Sequence, residues 1–170
     1  AAQEDGMEPA APPLVRPFRP ADTEGVAAVI VPIQQAEFGV PIRYEDQPDL
    51  QAIPDFYQTG AGGFWVAEAA DGSVVGTIGL RDIGDGMAAL RKMFVAAEHR
   101  GDGTARRLLD VLIAHAKAAG LRTVLLGTTS RFLAAHRFYE KNGFVEIAEG
   151  ELPASFPRMA VDTKFYRFQL

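Results

Sequence analysis

The sequence predicts an α/β domain of the α+β type, with a mixed, mostly antiparallel sheet of six to seven strands and helices on both faces. Hydrophobic residues alternate along several short segments, and two other segments repeat them with helical spacing. The 170-residue chain, 48% hydrophobic and 23% charged, has the composition of a globular domain that buries its own core. The predicted order of elements is β-α-α-β-β-β-α-β-α-β-β.

The N-terminal part predicts one strand and two helices. Residues 1–10 are rich in Ala, Pro and acids, so we expect a disordered tail there and a single domain over residues 11–170. A strand is predicted at residues 14–19, where Pro17 requires an edge position or a bulge. A helix follows from Asp22 or Thr23 to residue 37, and Pro32 is expected to kink or split it. A second short helix is predicted from Asp49 to residue 57.

The rest of the chain alternates strands and helices. Strands are predicted at residues 64–69, 74–81 and 87–95, and Asp71-Gly72 indicates a hairpin between the first two. An amphipathic helix begins at Gly103 and ends at Gly120. A buried parallel strand at 123–126, a helix at 132–141 capped by Thr129 or Ser130, and strands at 144–148 and 164–170 complete the domain.

A glycine-rich loop lies between the third meander strand and the following helix. It reads Arg100-Gly101-Asp102-Gly103-Thr104-Ala105. Glycines before a helix start expose backbone N–H groups at the positive end of the helix dipole, which is a geometry that binds phosphate. Neither the Gly-Lys-Ser/Thr of nucleotide triphosphate loops nor a dinucleotide-type Gly-x-Gly-x-x-Gly after an N-terminal strand is present.

Three segments together resemble the GNAT N-acetyltransferases. The loop fits the family pattern Gln/Arg-x-x-Gly-x-Gly/Ala, and the strand Leu-Arg-Lys-Met-Phe-Val at 90–95 precedes it as in the family. Residues 135–144, Ala-His-Arg-Phe-Tyr-Glu-Lys-Asn-Gly-Phe, are similar to the family's Ala-x-x-Phe-Tyr-x-x-x-Gly-Phe. The resemblance covers residues 14–170 and implies the GNAT fold, with acetyl-CoA as co-substrate and no metal.

The resemblance also implies which residues bind coenzyme A. They are Met93, Phe94, Val95, Arg100, Gly101, Asp102, Gly103, Thr104, Ala105, Arg106, Phe132, Ala135 and Tyr139. Since a carboxylate repels pyrophosphate, Asp102 is expected to point to solvent and to favour the helix dipole. A bulge in the strand, which the family uses to open a slot for the thioester, would explain why Leu90 and Met93 are three residues apart.

Catalytic roles follow from the same resemblance. The backbone N–H of Phe94 would hydrogen-bond the thioester carbonyl, and Tyr139 would protonate the departing thiolate. Relatives often have an acid where this chain has Ala89, so the general base is open; Glu37 and Asp82 are the candidates. Phe132 stands where relatives often have an Asn. Residues 34–57 and 152–159 are expected to wall the acceptor pocket.

Composition limits the function classes. The net charge of −5 argues against a nucleic-acid partner and suits a cationic acceptor. With no cysteine, a thiolate intermediate is excluded. The resemblance implies direct attack, in a ternary complex, by a primary amine of a small molecule or peptide, which is consistent with the lack of cysteine. The three histidines are scattered, and no membrane-spanning run or signal peptide is predicted, which favours a cytoplasmic protein. The family also allows a homodimer. The alternative is a catalytically weak acyl-CoA-binding sensor module, motivated by Phe132 and Ala89.

Overall fold

The computed structural model describes residues 11–170, which form a seven-stranded sheet with helices on both faces. The strands are β1 (Leu14–Pro17), β2 (Gly63–Glu68), β3 (Val74–Gly84), β4 (Met87–Val95), β5 (Thr123–Thr128), β6 (Val145–Ile147) and β7 (Lys164–Gln169). The α-helices are α1 (Thr23–Pro32), α2 (Pro48–Gln51), α3 (Ile53–Phe56), α4 (Thr104–Ala118) and α5 (Leu133–Lys141).

The strand order is β1-β2-β3-β4-β5-β7-β6, with β4 and β5 parallel and the other neighbours antiparallel. This confirms the predicted fold class. The predicted tail at residues 1–10 lies outside the described residues.

Two prolines shape the N-terminal elements as the sequence predicts. β1 lies at the edge of the sheet, so Pro17 interrupts no central ladder. Pro32 ends α1, and the chain continues as a π-helical turn over Ile33–Glu37. The single helix expected at 49–57 is wrong, because Ala52 has a ψ of +49° that separates α2 from α3.

Alternating residues of β2 divide the hydrophobic core between the two faces of the sheet. Trp65 and Ala67 face α4 and α5, in a cluster that includes Leu108 and Tyr139. Phe64 and Val66 face α1, α2 and α3. A third cluster, on the second face beyond β4, is covered by residues 152–156.

The sheet forks between β4 and β5. The two strands pair at Met87–Thr123, Ala88–Val124 and Ala89–Leu125, and their pairing ends there. Past this point β4 contains a bulge, because Arg91 pairs with Gly79 and Phe94 with Thr77, which leaves two residues opposite one. Leu90 and Met93 consequently both face the α4–α5 side, as their spacing predicts.

The last helix begins later than predicted. Phe132 precedes the first turn of α5, and neither Thr129 nor Ser130 caps it through a side chain. Instead the Thr129 carbonyl accepts hydrogen bonds from the Phe132 amide at 3.2 Å and from the His136 ring at 2.8 Å. Among residues 11–170, no helix combines the length and the apolar character that a membrane crossing needs.

Candidate active site

A cleft of about 680 Å³ opens at the fork between β4 and β5. Its walls are residues 90–94 of β4, residues 126–132 after the start of β5, residues 38–42 after the π-helical turn, and residues 156–163 before β7. The cleft brings together five of the sequence-predicted site residues: Met93, Phe94, Phe132, Ala135 and Tyr139. The fork therefore gives access to the middle of the sheet.

Tyr139 presents a protonated hydroxyl to this cleft. Its side chain is 8% exposed, and the hydroxyl lies 3.7 Å from the sulfur of Met93. Burial raises the pKa of Tyr139, so the phenol remains a proton donor at neutral pH. Because a thioether is a weak acceptor, the hydroxyl can exchange this partner for a stronger one.

A bulge residue, Lys92, fixes the shape of β4 beside the cleft. Its φ of +56° lies in the left-handed region, and the buried Thr77 hydroxyl donates to its carbonyl at 2.7 Å. The Lys92 ammonium reaches away from the strand to Gln47 Oε1 at 2.9 Å and Asp49 Oδ2 at 3.5 Å. Asp49 also accepts a 2.6 Å hydrogen bond from Tyr57. This buried network holds the bulge against α2 and α3.

The glycine-rich loop has the backbone expected of an anion site. Gly101 and Gly103 have φ values of +87° and +88°, and Gly103 precedes the first residue of α4. The Asp102 side chain is 38% exposed, and its carboxylate lies at the N-terminus of α4, as expected. It accepts from the Thr104 amide at 3.0 Å, the Thr104 hydroxyl at 2.6 Å and the His99 ring at 2.8 Å.

Desolvation raises the pKa of Asp102, but the hydrogen bonds from Thr104 and His99 outweigh it and lower that pKa to about 2. The Thr104 amide is therefore occupied. The amides of Gly101, Gly103 and Ala105 have no acceptor within residues 11–170 and are available to a ligand.

Arg100 forms an ion pair with Glu37, one of the two candidate general bases. Its guanidinium forms a bidentate pair with Glu37, at 2.5 and 2.9 Å, and its Nε donates to the Val95 carbonyl at 3.0 Å. The hydrogen bonds from Arg100 lower the pKa of Glu37, which makes Glu37 a weaker base. The pair also joins the π-helical turn to the loop.

Several predicted site residues do not line this cleft: Glu37, Asp82, Val95 and residues 100–106. Asp82 is near the end of β3, where it accepts from the amides of Ala61 and Gly84 and does not line the cleft. These hydrogen bonds lower its pKa, so both its position and its basicity argue against a role as the base. Arg106 extends along α4 to Asp110 at 3.1 Å rather than toward the loop.

Three aromatic rings cover part of the cleft. Phe38 stacks against Phe132 with ring centroids 3.9 Å apart, and it lies 5.9 Å from Phe94. The contact joins the segment after the π-helical turn to the start of α5. Phe132 thus has an aromatic packing partner at the mouth of the cleft.

One carboxylate of the cleft was missed by sequence reasoning. Among the described residues that line the cleft, Asp162 is the carboxylate-bearing one. The acceptor-wall prediction stopped at residue 159, three residues too early. A signal existed, because Asp162 is the single acidic residue between 152 and the end of the printed sequence. It gave no periodicity, since the segment before β7 is irregular.

A family model described as "Acetyltransferase (GNAT) family" matches residues 29–144. The chain is similar to a GNAT-family acetyltransferase from Staphylococcus aureus Mu50 whose crystal structure is known. The two sequences are 37% identical, the structures align with a TM-score of 0.87, and the match covers 92% of this chain and 98% of that one. An N-acetylglutamate synthase from Neisseria gonorrhoeae, solved with coenzyme A and N-acetylglutamate, shares the fold at a TM-score of 0.72 and 18% identity, over 96% of this chain and 36% of that one.

Among curated proteins, N-acetylaspartate synthetase from Xenopus tropicalis is 30% identical over 125 residues, which are 71% of this chain and 46% of that protein. The chain thus spans about half the length of the curated relatives it matches.

Proposed function

Because this chain belongs to the GNAT acetyltransferase family, we propose that it transfers an acetyl group from acetyl-CoA to the primary amine of an acceptor. The observation that carries the proposal is the fork between β4 and β5, with the Tyr139 hydroxyl at its side. A strand that loses its neighbour offers backbone groups to an extended ligand, and a buried phenol beside it offers a proton.

The residues of the loop and the fork fit coenzyme A as a co-substrate. Two positive-φ glycines and three free amides at the N-terminus of α4 suit a pyrophosphate. A Cβ at Gly101 would meet no neighbour, so the loop surface beside it is open. Small Ala135 and the gap between the strands leave room for the narrow pantetheine arm. Acetyl-CoA would supply the activated acetyl group.

Each residue of the site has a specific task in this proposal. The amide of Phe94 would stabilise negative charge on the thioester oxygen, as it lies directly after the bulge. Tyr139 would give its proton to the departing sulfur. Asp102 would act structurally, because its carboxylate satisfies the start of α4 instead of meeting the pyrophosphate. A cytoplasmic location and a homodimer stay predictions.

The test combines binding and turnover. Isothermal titration calorimetry with acetyl-CoA and release of free thiol with a panel of amines should both give signals. The chain contains no cysteine, so a thiol reagent detects coenzyme A without background from the protein. Acetyl-CoA binding without turnover on any amine would instead support the sensor module, and absence of binding would overturn both.

A further inference from the structure

The cleft has an acceptor side, defined by the face of the sheet opposite Tyr139. Leu126 packs in the cluster that contains Tyr139, whereas its neighbour Leu125 packs with Phe156 and Phe165 on the other face. Since side chains alternate along a strand, Gly127 shares the face of Leu125. A Cβ built on Gly127 would come within 2.6 Å of Asp162 Oδ2. Asp162 and Tyr139 therefore approach the fork from opposite faces.

Arg91 lies on the same face as Asp162. In β4, Leu90 faces the Tyr139 side, so Arg91 faces the other one. Its guanidinium lies 4.0 Å from the sulfur of Met159, and the Asp162 amide donates to the Met159 carbonyl at 3.0 Å. Both charged groups thus belong to one wall of the cleft.

The two charged groups do not form a direct ion pair. Asp162 and Arg91 form no ion pair within 4.0 Å, and neither forms one with another side chain of residues 11–170. The other charged or titratable side chains lining the cleft are Lys92, Arg131 and Tyr139. Lys92 is committed to Asp49, so Arg91 and Arg131 are the cations left for a ligand.

Resting on the proposed acetyl transfer, we propose that the acceptor is an amino acid or related amino carboxylate, whose amine binds Asp162 and whose carboxylate binds Arg91. An ammonium placed at the half-buried carboxylate gains a charge-assisted hydrogen bond. A guanidinium suits the carboxylate because its planar donors match two oxygens at once. The cleft is lined by more cationic than anionic side chains although the whole chain is net acidic, which suits an acceptor that carries a carboxylate beside its amine.

Asp162 also receives the proton that the amine must lose. Desolvation raises the pKa of Asp162, and a backbone hydrogen bond from Met159 and the charge of Arg91 oppose this less strongly. A raised pKa makes the carboxylate a better base. The nitrogen then attacks the acetyl carbon, so a C–N bond forms and the C–S bond breaks. One of its two lost protons passes through Asp162 to solvent; the other replaces the proton that Tyr139 gives to sulfur.

The test compares amino acids with their carboxamides, which keep the amine and lose the negative charge. Aspartate, alanine and phenylalanine are paired with aspartic acid diamide, alaninamide and phenylalaninamide in the thiol-release assay. The best free acid should exceed its amide in kcat/KM by roughly 10- to 100-fold, the value of a charged hydrogen bond. In Arg91→Gln, KM for the acid should rise by a similar factor, while KM for the amide stays unchanged.

Asp162→Asn tests the proton transfer. In the wild type, kcat should fall as the pH drops through the pKa of Asp162. In the variant, kcat should be much lower and should no longer show this decrease at low pH. Acetyl-CoA affinity by calorimetry should be unchanged in both variants. Asp85→Asn, in the exposed β3–β4 turn, and Arg167→Gln, on an exposed position of β7, are matched controls that should behave as wild type.

Two results would overturn the inference in distinguishable ways. If amides are acetylated as well as acids and Arg91→Gln changes neither KM, the acceptor site is wrong while acetyl transfer stands. If acetyl-CoA binds but no amine of either kind releases thiol, the proposed function fails and the acceptor site fails with it.

Discussion

At the scale of single residues, the Tyr139 hydroxyl forms only a weak hydrogen bond, to the sulfur of Met93. We expect Tyr139→Phe to lower kcat by roughly 10²- to 10⁴-fold, the usual value of a positioned general acid, and to leave the Kd for acetyl-CoA unchanged. Steady-state thiol release and calorimetry give the two numbers. Tyr44→Phe, which removes a hydroxyl outside the cleft, is the matched control. Unchanged turnover in Tyr139→Phe would exclude the phenol from proton transfer.

A second prediction at this scale concerns the effect of Glu37 on acetyl-CoA binding. Its pair with Arg100 competes with any phosphate that needs the same guanidinium. Because an exposed pair is worth at most about 1 kcal/mol, Glu37→Gln should lower the Kd for acetyl-CoA by up to about 5-fold. Calorimetry measures this, with Glu45→Gln, an exposed acid paired elsewhere, as the control. A large loss of kcat in Glu37→Gln would restore Glu37 as the general base.

At the scale of elements, the loop before α4 depends on glycine where the backbone turns. Gly103→Glu places a side chain and a negative charge at the start of the helix, so acetyl-CoA binding should be lost. Gly120→Glu carries the same strain of about 1–2 kcal/mol, because Gly120 also has a positive φ, but it lies after the opposite end of α4. Calorimetry on both variants separates the site from the strain. Binding retained by Gly103→Glu would refute the loop as the pyrophosphate site.

The bulge of β4 supports another prediction about elements. Lys92 is 8% exposed at its side chain and compensates the equally buried Asp49. Lys92→Met leaves that carboxylate without its cation, and should lower the free energy of unfolding by about 3–5 kcal/mol. Urea denaturation measures the change, and Asp49→Asn in the same background should restore part of it. Lys164→Met, which breaks the exposed pair with Glu146, should cost less than about 1 kcal/mol.

At the scale of the whole molecule, one cluster of ion pairs joins the edge strand β1 to β2 and to the turn before α1. Arg16 of β1 contacts Asp22 at 2.8 Å and Glu68 of β2 at 3.0 Å. The hydrogen bonds from Arg16 lower the pKa of Asp22 in the folded state. Ionised Asp22 therefore adds stability above its unfolded pKa of about 4, and this stability is lost as the pH falls through the folded value.

Asp22→Asn should accordingly flatten the fall in unfolding free energy as the pH drops below about 4. Urea titrations at several pH values in that range measure it. Asp85→Asn, in the exposed turn between β3 and β4, serves as a comparison because the Asp85 carboxylate forms no ion pair within residues 11–170. An identical pH slope in Asp22→Asn and the wild type would show that the cluster contributes nothing.

Much of the fold could be predicted because local patterns determine it. β4 was predicted at its observed bounds, Pro32 ends a helix as expected, and Gly120 follows the end of α4. The cap of α5 was predicted wrongly, since the Phe132 amide, just before the first turn, donates to the Thr129 carbonyl and no polar side chain caps the helix. Backbone caps have no residue-type signature.

The site was harder to predict where contacts join distant parts of the chain. Glu37 and Arg100 are 63 residues apart, so nothing local indicates that they pair. Asp162 comes from an irregular segment whose course is decided by packing of Phe156 and Phe165. Tyr139 and Ala135 were located in the cleft because they share one helix face with Phe132, a spacing visible in the sequence.

In the protein without its ligand, the fork leaves part of β4 without a strand neighbour. Residues 90–94 of β4 have a strand neighbour on one side, β3, and a gap on the other. They are in effect a sheet edge inside the molecule, and an open edge can pair with any extended chain of suitable shape. The stack of Phe38 on Phe132 narrows the approach to that edge. Acetyl-CoA would thus pair with the unpaired edge of β4 as an additional strand. The same gap could also admit an extended peptide, and the Phe38–Phe132 stack limits that access.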